Sequence, residues 1–206
     1  MKPSLVLLDI DGVLLTGSKL GCFAAAAAVR DKHINPAAVY SQLFVPAAMR
    51  ALKDVQDQMN GAVDWVVSST WRESLSRSEL CSVFRQSGLD FVADNLCAGE
   101  RWRTPSKFGR SRRVDEIAQW LDRHHEGEPF AILDDTHSGA SLIPTMDPSP
   151  MLSSNVPAMG HSRDVAGHPF AGRVVLCDEN VGLTGDHVPF IVAALRRAVP
   201  VARVPA

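Results

Sequence analysis

The chain has 206 residues, of which 46% are hydrophobic and 21% charged, with a formal net charge of -2. That balance supports a buried core and excludes a chain disordered for want of apolar residues, and the near-neutral charge leaves any signal for nucleic acid or membrane to local features. No apolar run reaches the roughly 18 residues of a membrane span. Two aspartates interrupt the first apolar run, so it is not a secretory signal, and Cys22, Cys81, Cys97 and Cys177 form no CxxC pair. Reduced thiols and a cytoplasmic location are the expectation.

Ser4 to Ile10 reads as a buried strand, continuous rather than alternating in its apolar residues, as a central parallel strand requires. It ends in Asp9 and Asp11, with Gly12 following, and LLTGSKLG then suggests a hairpin or loop. Phe23 to Arg30 is alanine-rich and helical in composition, and Asn35-Pro36 breaks it. Pro46 to Met59 has helical spacing, with proline near its start and Gly61 past its end. Asp64 to Val67 is a second strand, running into SSTWRES. Ser76 to Ser87 is a helix with Gly88 as its C-terminal cap. Leu89 to Val92 reads as a short strand or strand edge. Residues 98–113 are a basic loop, and Val114 to His124 an amphipathic helix. Pro129 to Leu133 is a third buried strand, ending at Asp134 and Asp135. An irregular segment spans about 136–172, followed by a last strand, Arg173 to Cys177, and a last helix, Pro189 to Val199.

Strands alternating with helices predict an α/β fold, a parallel sheet with helices on both faces, in one domain over residues 1–206. Ligands bind beyond the carboxyl ends of such strands. Three of those ends carry polar residues: Asp9 and Asp11, Ser68 to Thr70, and Asp134 and Asp135. Taken singly, each is an ordinary turn or cap. Together they bring four carboxylates to one crevice, where they repel unless a cation sits among them, and a hard oxygen-liganded ion such as Mg²⁺ fits.

These residues resemble the haloacid dehalogenase-like (HAD) superfamily. Asp9-Ile10-Asp11-Gly12-Val13-Leu14 matches its DxDGxx motif, WVVSS its second, and AILDD its acidic fourth. SSTWRE, VDEIAQWL and VVLCDENVGLT are similar to HAD domains associated with RNA-repair proteins. The resemblance implies a three-layer Rossmann-like fold and a phosphomonoesterase acting through an aspartyl-phosphate. Asp9 would be the nucleophile and Asp11 the general acid and base. Mg²⁺ would be held by Asp9, the backbone carbonyl of Asp11, and Asp135, with Asp134 orienting the cation or the basic residue. Ser69, or alternatively Ser68, would bind phosphoryl oxygens. The basic third motif falls on Arg113, which suits the helix-start register, or on Lys107. An arginine there would bring a bidentate fork where lysine brings a point charge.

The gaps between motifs leave room for a minimal cap domain or none, and the resemblance implies that a capless HAD enzyme has an open site and takes large substrates. RWRTPSKFGRSRR interleaves Arg101, Arg103, Lys107, Arg110, Arg112 and Arg113 with Trp102 and Phe108. Such a stretch tracks a phosphate backbone and stacks bases, or is a solvated loop with two aromatic anchors. The substrate expectation is a phosphorylated RNA or DNA end or a nucleotide. A protein or small-metabolite phosphatase, or an idle module that binds RNA or protein, are the alternatives. His137, His161 and His168 form no HxH or HxxxH pair, which argues against a zinc site.

Overall fold

The computed structural model describes residues 2–17, 20–106, 111–143 and 170–198. Four parallel strands, β1 (Ser4–Leu8), β2 (Val63–Val67), β3 (Phe130–Asp135) and β4 (Val174–Cys177), form one sheet in the order β2-β1-β3-β4. Leu5 pairs with Asp64 on one side and Phe130 on the other, and Asp135 pairs with Cys177. Every strand residue is buried except Asp64. Successive strand residues face opposite ways, so both faces of the sheet are covered, as in the expected Rossmann-like α/β architecture.

The helices are α1 (Cys22–Arg30), α2 (Pro36–Tyr40), α3 (Pro46–Gln58), α4 (Trp71–Ser74), α5 (Arg77–Gln86), α6 (Asp90–Asp94), α7 (Arg113–His124) and α8 (Val188–Arg196). Local chemistry starts them. Asn35 accepts from the Ala37 N–H with Pro36 in the first turn, so Asn35-Pro36 opens a short helix; the helix before it has already ended at Arg30, with Asp31 as its cap, rather than at Asn35-Pro36. Ser76 and Glu79 form a reciprocal capping box at α5. α7 buries Ile117 and Trp120, and α8 buries Ile191, Val192 and Leu195. Among the described residues between β1 and β2, α1 and α2 add to α3, and they pack on each other and on α5.

Residues 89–92 are not a strand. Gly88 adopts φ +85°, the Leu89 N–H returns to the Phe84 carbonyl, and the chain turns at once into α6, which packs on α5. The edge of β2 is met instead by single bridges from Leu96 and Arg103. Of the irregular 136–172 segment, residues 144–169 lie outside the described residues, and Ser138–Leu142 is a 3-10 turn. Cys22, Cys81, Cys97 and Cys177 are all free thiols, and burial pushes Cys177 up to about 12 and Cys97 to about 11. No helix among the described residues is long and apolar enough to cross a membrane.

Candidate active site

Parallel pairing brings the three strand tips together. The Asp9 N–H donates to the Leu133 carbonyl at 2.9 Å, and the Ser68 N–H to the Leu8 carbonyl at 2.8 Å. Asp9 therefore stands between the tips of β2 and β3. Its Oδ1 accepts from the Ile10 N–H at 2.8 Å. Gly12 then turns the chain back with φ +74°, and its N–H donates to the Leu15 carbonyl at 2.7 Å.

Asp9, Asp134 and Asp135 are all buried, and each offers a carboxylate oxygen within 4.8 Å of the others. Burial pushes the Asp9 carboxyl up against the pull of Arg113. Burial, and then the charge of Asp9, push Asp134 well above its ordinary value. Asp135 Oδ1 accepts from the N–H groups of His137 and Ser138, at 2.7 and 2.9 Å. Carboxylates packed this closely suit a cation, and an all-oxygen donor set suits a hard one.

Arg113 faces the same cluster from the start of α7. Its Nη2 stands 3.3 Å from Asp9 Oδ2, and its Nε 2.8 Å from Asp134 Oδ2, the latter as an ion pair without hydrogen-bond alignment. Burial opposes its charge, but Asp134, Asp9 and Glu116 together hold its pKa above the ordinary arginine value. Lys107, the other basic candidate, lies outside the described residues.

Of the two serines, Ser68 is engaged: Arg113 Nη1 and Thr104 Oγ1 reach its hydroxyl at 3.5 and 3.4 Å. Ser69 Oγ is buried and lies close enough to Asp9 to favour its charged form. It is not in hydrogen-bond alignment with any described group.

Asp11 lies at the mouth, half-buried. The Trp71 indole N–H donates to its Oδ2 at 2.9 Å. Burial raises the Asp11 carboxyl, Trp71 pulls it down, and Asp135 adds a further upward push. Its side chain is not part of the three-carboxylate group. A cavity of about 380 Å³ opens here, lined by Asp11, Gly12, Asp135, His137, Glu179 and Asn180. The tail stretch closes one side: the Leu183 N–H donates to the Val13 carbonyl at 2.9 Å, and a Cβ on Gly182 would meet that oxygen at 2.8 Å. His137 is thus on the rim, while His161 and His168 lie outside the described residues.

The basic stretch divides. Trp102 is buried, with the Arg103 guanidinium 5.0 Å over its ring, and Arg101 pairs with Glu128 at 3.0 Å. Trp102 therefore anchors the loop and does not offer a stacking face, and Arg101 is tied down. Arg103 and Arg112 keep exposed heads, and Phe108 and Arg110 lie outside the described residues. Sequence reasoning did not anticipate Trp71 as the partner of Asp11, nor Arg72 and Glu116 behind Arg113. The signals available were SSTWRE at a strand tip and the three-residue spacing from Arg113 to Glu116, which places both on one helix face.

A family model described as "HAD domain in Swiss Army Knife RNA repair proteins" matches residues 5–188. The chain belongs to this family. The match runs from Leu5 in β1 through β4 and covers every site residue named above, and at a coarse level this HAD domain membership supports a HAD-type phosphatase. No curated protein and no solved structure matches the chain.

Proposed function

We propose that this HAD domain is a Mg²⁺-dependent phosphomonoesterase that works through an aspartyl-phosphate and acts on nucleic-acid ends or nucleotides. The observation that carries the reading is the convergence of Asp9, Asp134, Asp135, Arg113 and the unpaired Ser69 hydroxyl at one end of the sheet, with Asp11 beside them. An Asp9 carboxylate oxygen attacks phosphorus and the bond to the leaving oxygen breaks. Asp11 gives that oxygen a proton. Asp11 then takes a proton from water, which attacks the aspartyl-phosphate, releasing inorganic phosphate and restoring Asp9. Ser69 Oγ donates to a phosphoryl oxygen, and Arg113 offsets charge there.

Asp9, Asp135 and the Asp11 backbone carbonyl would hold Mg²⁺, with Asp134 turned to Arg113. When bound, the ion supplies charge neutralisation among the carboxylates and the phosphate. The nucleic-acid part of the reading draws on the family and on what surrounds the mouth. Phe23, 87% exposed, follows Cys22 at the start of α1, and the Cys22 thiol lies in the field of Asp11. On the stretch leading to Arg113, Arg103 is exposed, and Arg112 is exposed but paired with Asp115 at 2.9 Å.

The test is a phosphatase panel with and without Mg²⁺, covering para-nitrophenyl phosphate, nucleotides, and RNA or DNA with 5′- or 3′-phosphate ends. Turnover is expected to vanish with chelator, return with Mg²⁺ and disappear in Asp9→Asn. Full activity of Asp9→Asn removes the covalent mechanism. A preference for phosphoproteins or small metabolites over nucleic-acid ends removes the substrate assignment. No turnover of any substrate leaves a binding module.

A further inference from the structure

Each terminal nitrogen of Arg113, and its Nε, faces a carboxylate. Nε and Nη2, the two that form the side-on fork of a guanidinium, address Asp134 and Asp9 at 2.8 and 3.3 Å. Nη1 turns the other way, to Glu116 Oε2 at 3.4 Å. Glu116 is itself buried and doubly committed. Arg72 Nη2 donates to the same Oε2 at 2.8 Å, and Ser111 Oγ donates to Oε1 at 2.7 Å. Arg72, 3% exposed, gives its Nε to the Thr104 carbonyl at 2.8 Å and a second Nη2 contact to the Pro105 carbonyl at 3.3 Å.

This arrangement is expensive unless it serves something. Burial pulls the Arg72 pKa down, Glu116 offsets that pull, and the charge of Arg113 adds to it. Two guanidinium groups inside a protein repel, and replacing a buried ion pair by a hydrophobic pair of similar size is often neutral or stabilising. Besides the Thr104 and Pro105 carbonyls and the Ser111 hydroxyl, the pair reaches one charged group that faces the carboxylate cluster, Arg113, through its Nη1.

We propose that Glu116, held by Arg72, is a positioning residue for Arg113: it fixes the Nη1 edge inward so that the Nε–Nη2 fork is presented to Asp9 and Asp134. The same carboxylate ties down both flanks of the basic stretch, through Arg72 to Thr104 and Pro105 and directly to Ser111. Glu116 therefore links residues 104–105 and 111 of that stretch to Arg113. The inference rests on the reading of Arg113 as the arginine that serves the reacting phosphate.

The experiment compares wild type with Glu116→Gln and with the double variant Arg72→Met/Glu116→Met, which removes both charges and keeps the volume. Arginine Nε–H signals are followed by NMR in the substrate-free protein, with Arg113→Lys used for assignment, and para-nitrophenyl phosphate kinetics are measured alongside. The expected result is that the double variant melts within a few degrees of wild type, loses the slowly exchanging Arg113 Nε–H signal, and shows kcat about 10²-fold lower with KM little changed, the scale of loss from an ångström-sized misplacement. A folded double variant with the Arg113 signal intact overturns the inference, whatever its turnover. So does unchanged kcat in that variant when the wild type is active. If Glu116→Gln fails to fold, the double variant decides. If the wild type turns over nothing, the NMR arm still decides the inference, and it is the phosphatase reading that fails.

Discussion

Gly12 lies directly against Asp135: a Cβ at residue 12 would sit 2.6 Å from the Asp135 Cβ and 2.9 Å from its carboxyl carbon. The glycine after the second aspartate is therefore a matter of space as well as of its φ of +74°. It lets the turn that carries Asp11 close down on the tip of β3.

Gly12→Ala should damage both stability and the site. The left-handed backbone alone costs about 1–2 kcal/mol for a residue with a Cβ, and the contact with Asp135 adds to it. We expect Tm to fall by at least about 2–4 °C and Mg²⁺-dependent turnover to fall further than the melting loss explains. Thermal melts and kinetics at a temperature where both proteins are folded will check this. An active, wild-type-like protein would mean that the turn can move off Asp135 freely.

Trp71→Phe keeps most of a buried ring and deletes one N–H. Asp11 then loses the indole donor on its Oδ2. A hydrogen bond to a charged group is worth about 1.5–3 kcal/mol, so turnover should drop by about 10- to 150-fold. If Asp11 protonates the leaving oxygen, the loss should be larger for an alkyl phosphate, a poor leaving group, than for para-nitrophenyl phosphate. Equal losses on the two would assign Trp71 to packing.

Phe23→Ala tests the nucleobase assignment. The ring is exposed at the start of α1 and has no packing role to lose. Base–aromatic stacking contributes about 1–3 kcal/mol, so KM for a phosphorylated oligonucleotide should rise by about 5- to 150-fold. Hydrolysis of acetyl phosphate, which has no ring, should be unchanged. The same KM for the oligonucleotide in both proteins would place its bases elsewhere.

The Glu79 carboxyl is held down to about 2 by Arg30, and by the backbone N–H and hydroxyl of Ser76. A group whose folded pKa lies below its unfolded value stabilises the fold above the unfolded pKa and loses that contribution as pH falls through the folded one. Glu79→Gln should therefore lower Tm near pH 7 by about 2–4 °C, the shift of a partly exposed ion pair and cap together. The two proteins should converge as pH drops from about 4.5 towards 2. A gap that stays constant across that range would deny the linkage.

What was legible in the sequence was what repeats simple chemistry. Continuous apolar runs named β1, β2, β3 and β4 because buried parallel strands have no polar face. Carboxylates and hydroxyls at three strand ends marked the crevice because topology alone brings such ends together. Leu89 to Val92 misled because four apolar-rich residues carry no usable period, and the Gly88 turn had already committed the chain to α6. Trp102 could not be told from a base-stacking aromatic, since its burial depends on packing with the sheet edge. Trp71, Arg72 and Glu116 were hidden for a similar reason. Trp71 lies 60 residues from Asp11 and Arg72 lies 44 from Glu116; SSTWRE and the short spacing from Arg113 to Glu116 hint at the residues, but neither names these distant partners.

The strand order also sets when the crevice can exist. β1 precedes both of its neighbours in the chain yet sits between them, hydrogen-bonded to β2 on one side and β3 on the other. During synthesis, Asp9 and Asp11 emerge long before Arg113 or the β3 tip that must meet them. Loop closure over that distance comes before the contacts that repay it. No sub-fragment ending before Asp135 holds the complete site. On refolding, turnover should return in the same kinetic phase as the pairing of β1 with β3, with no earlier species of partial activity.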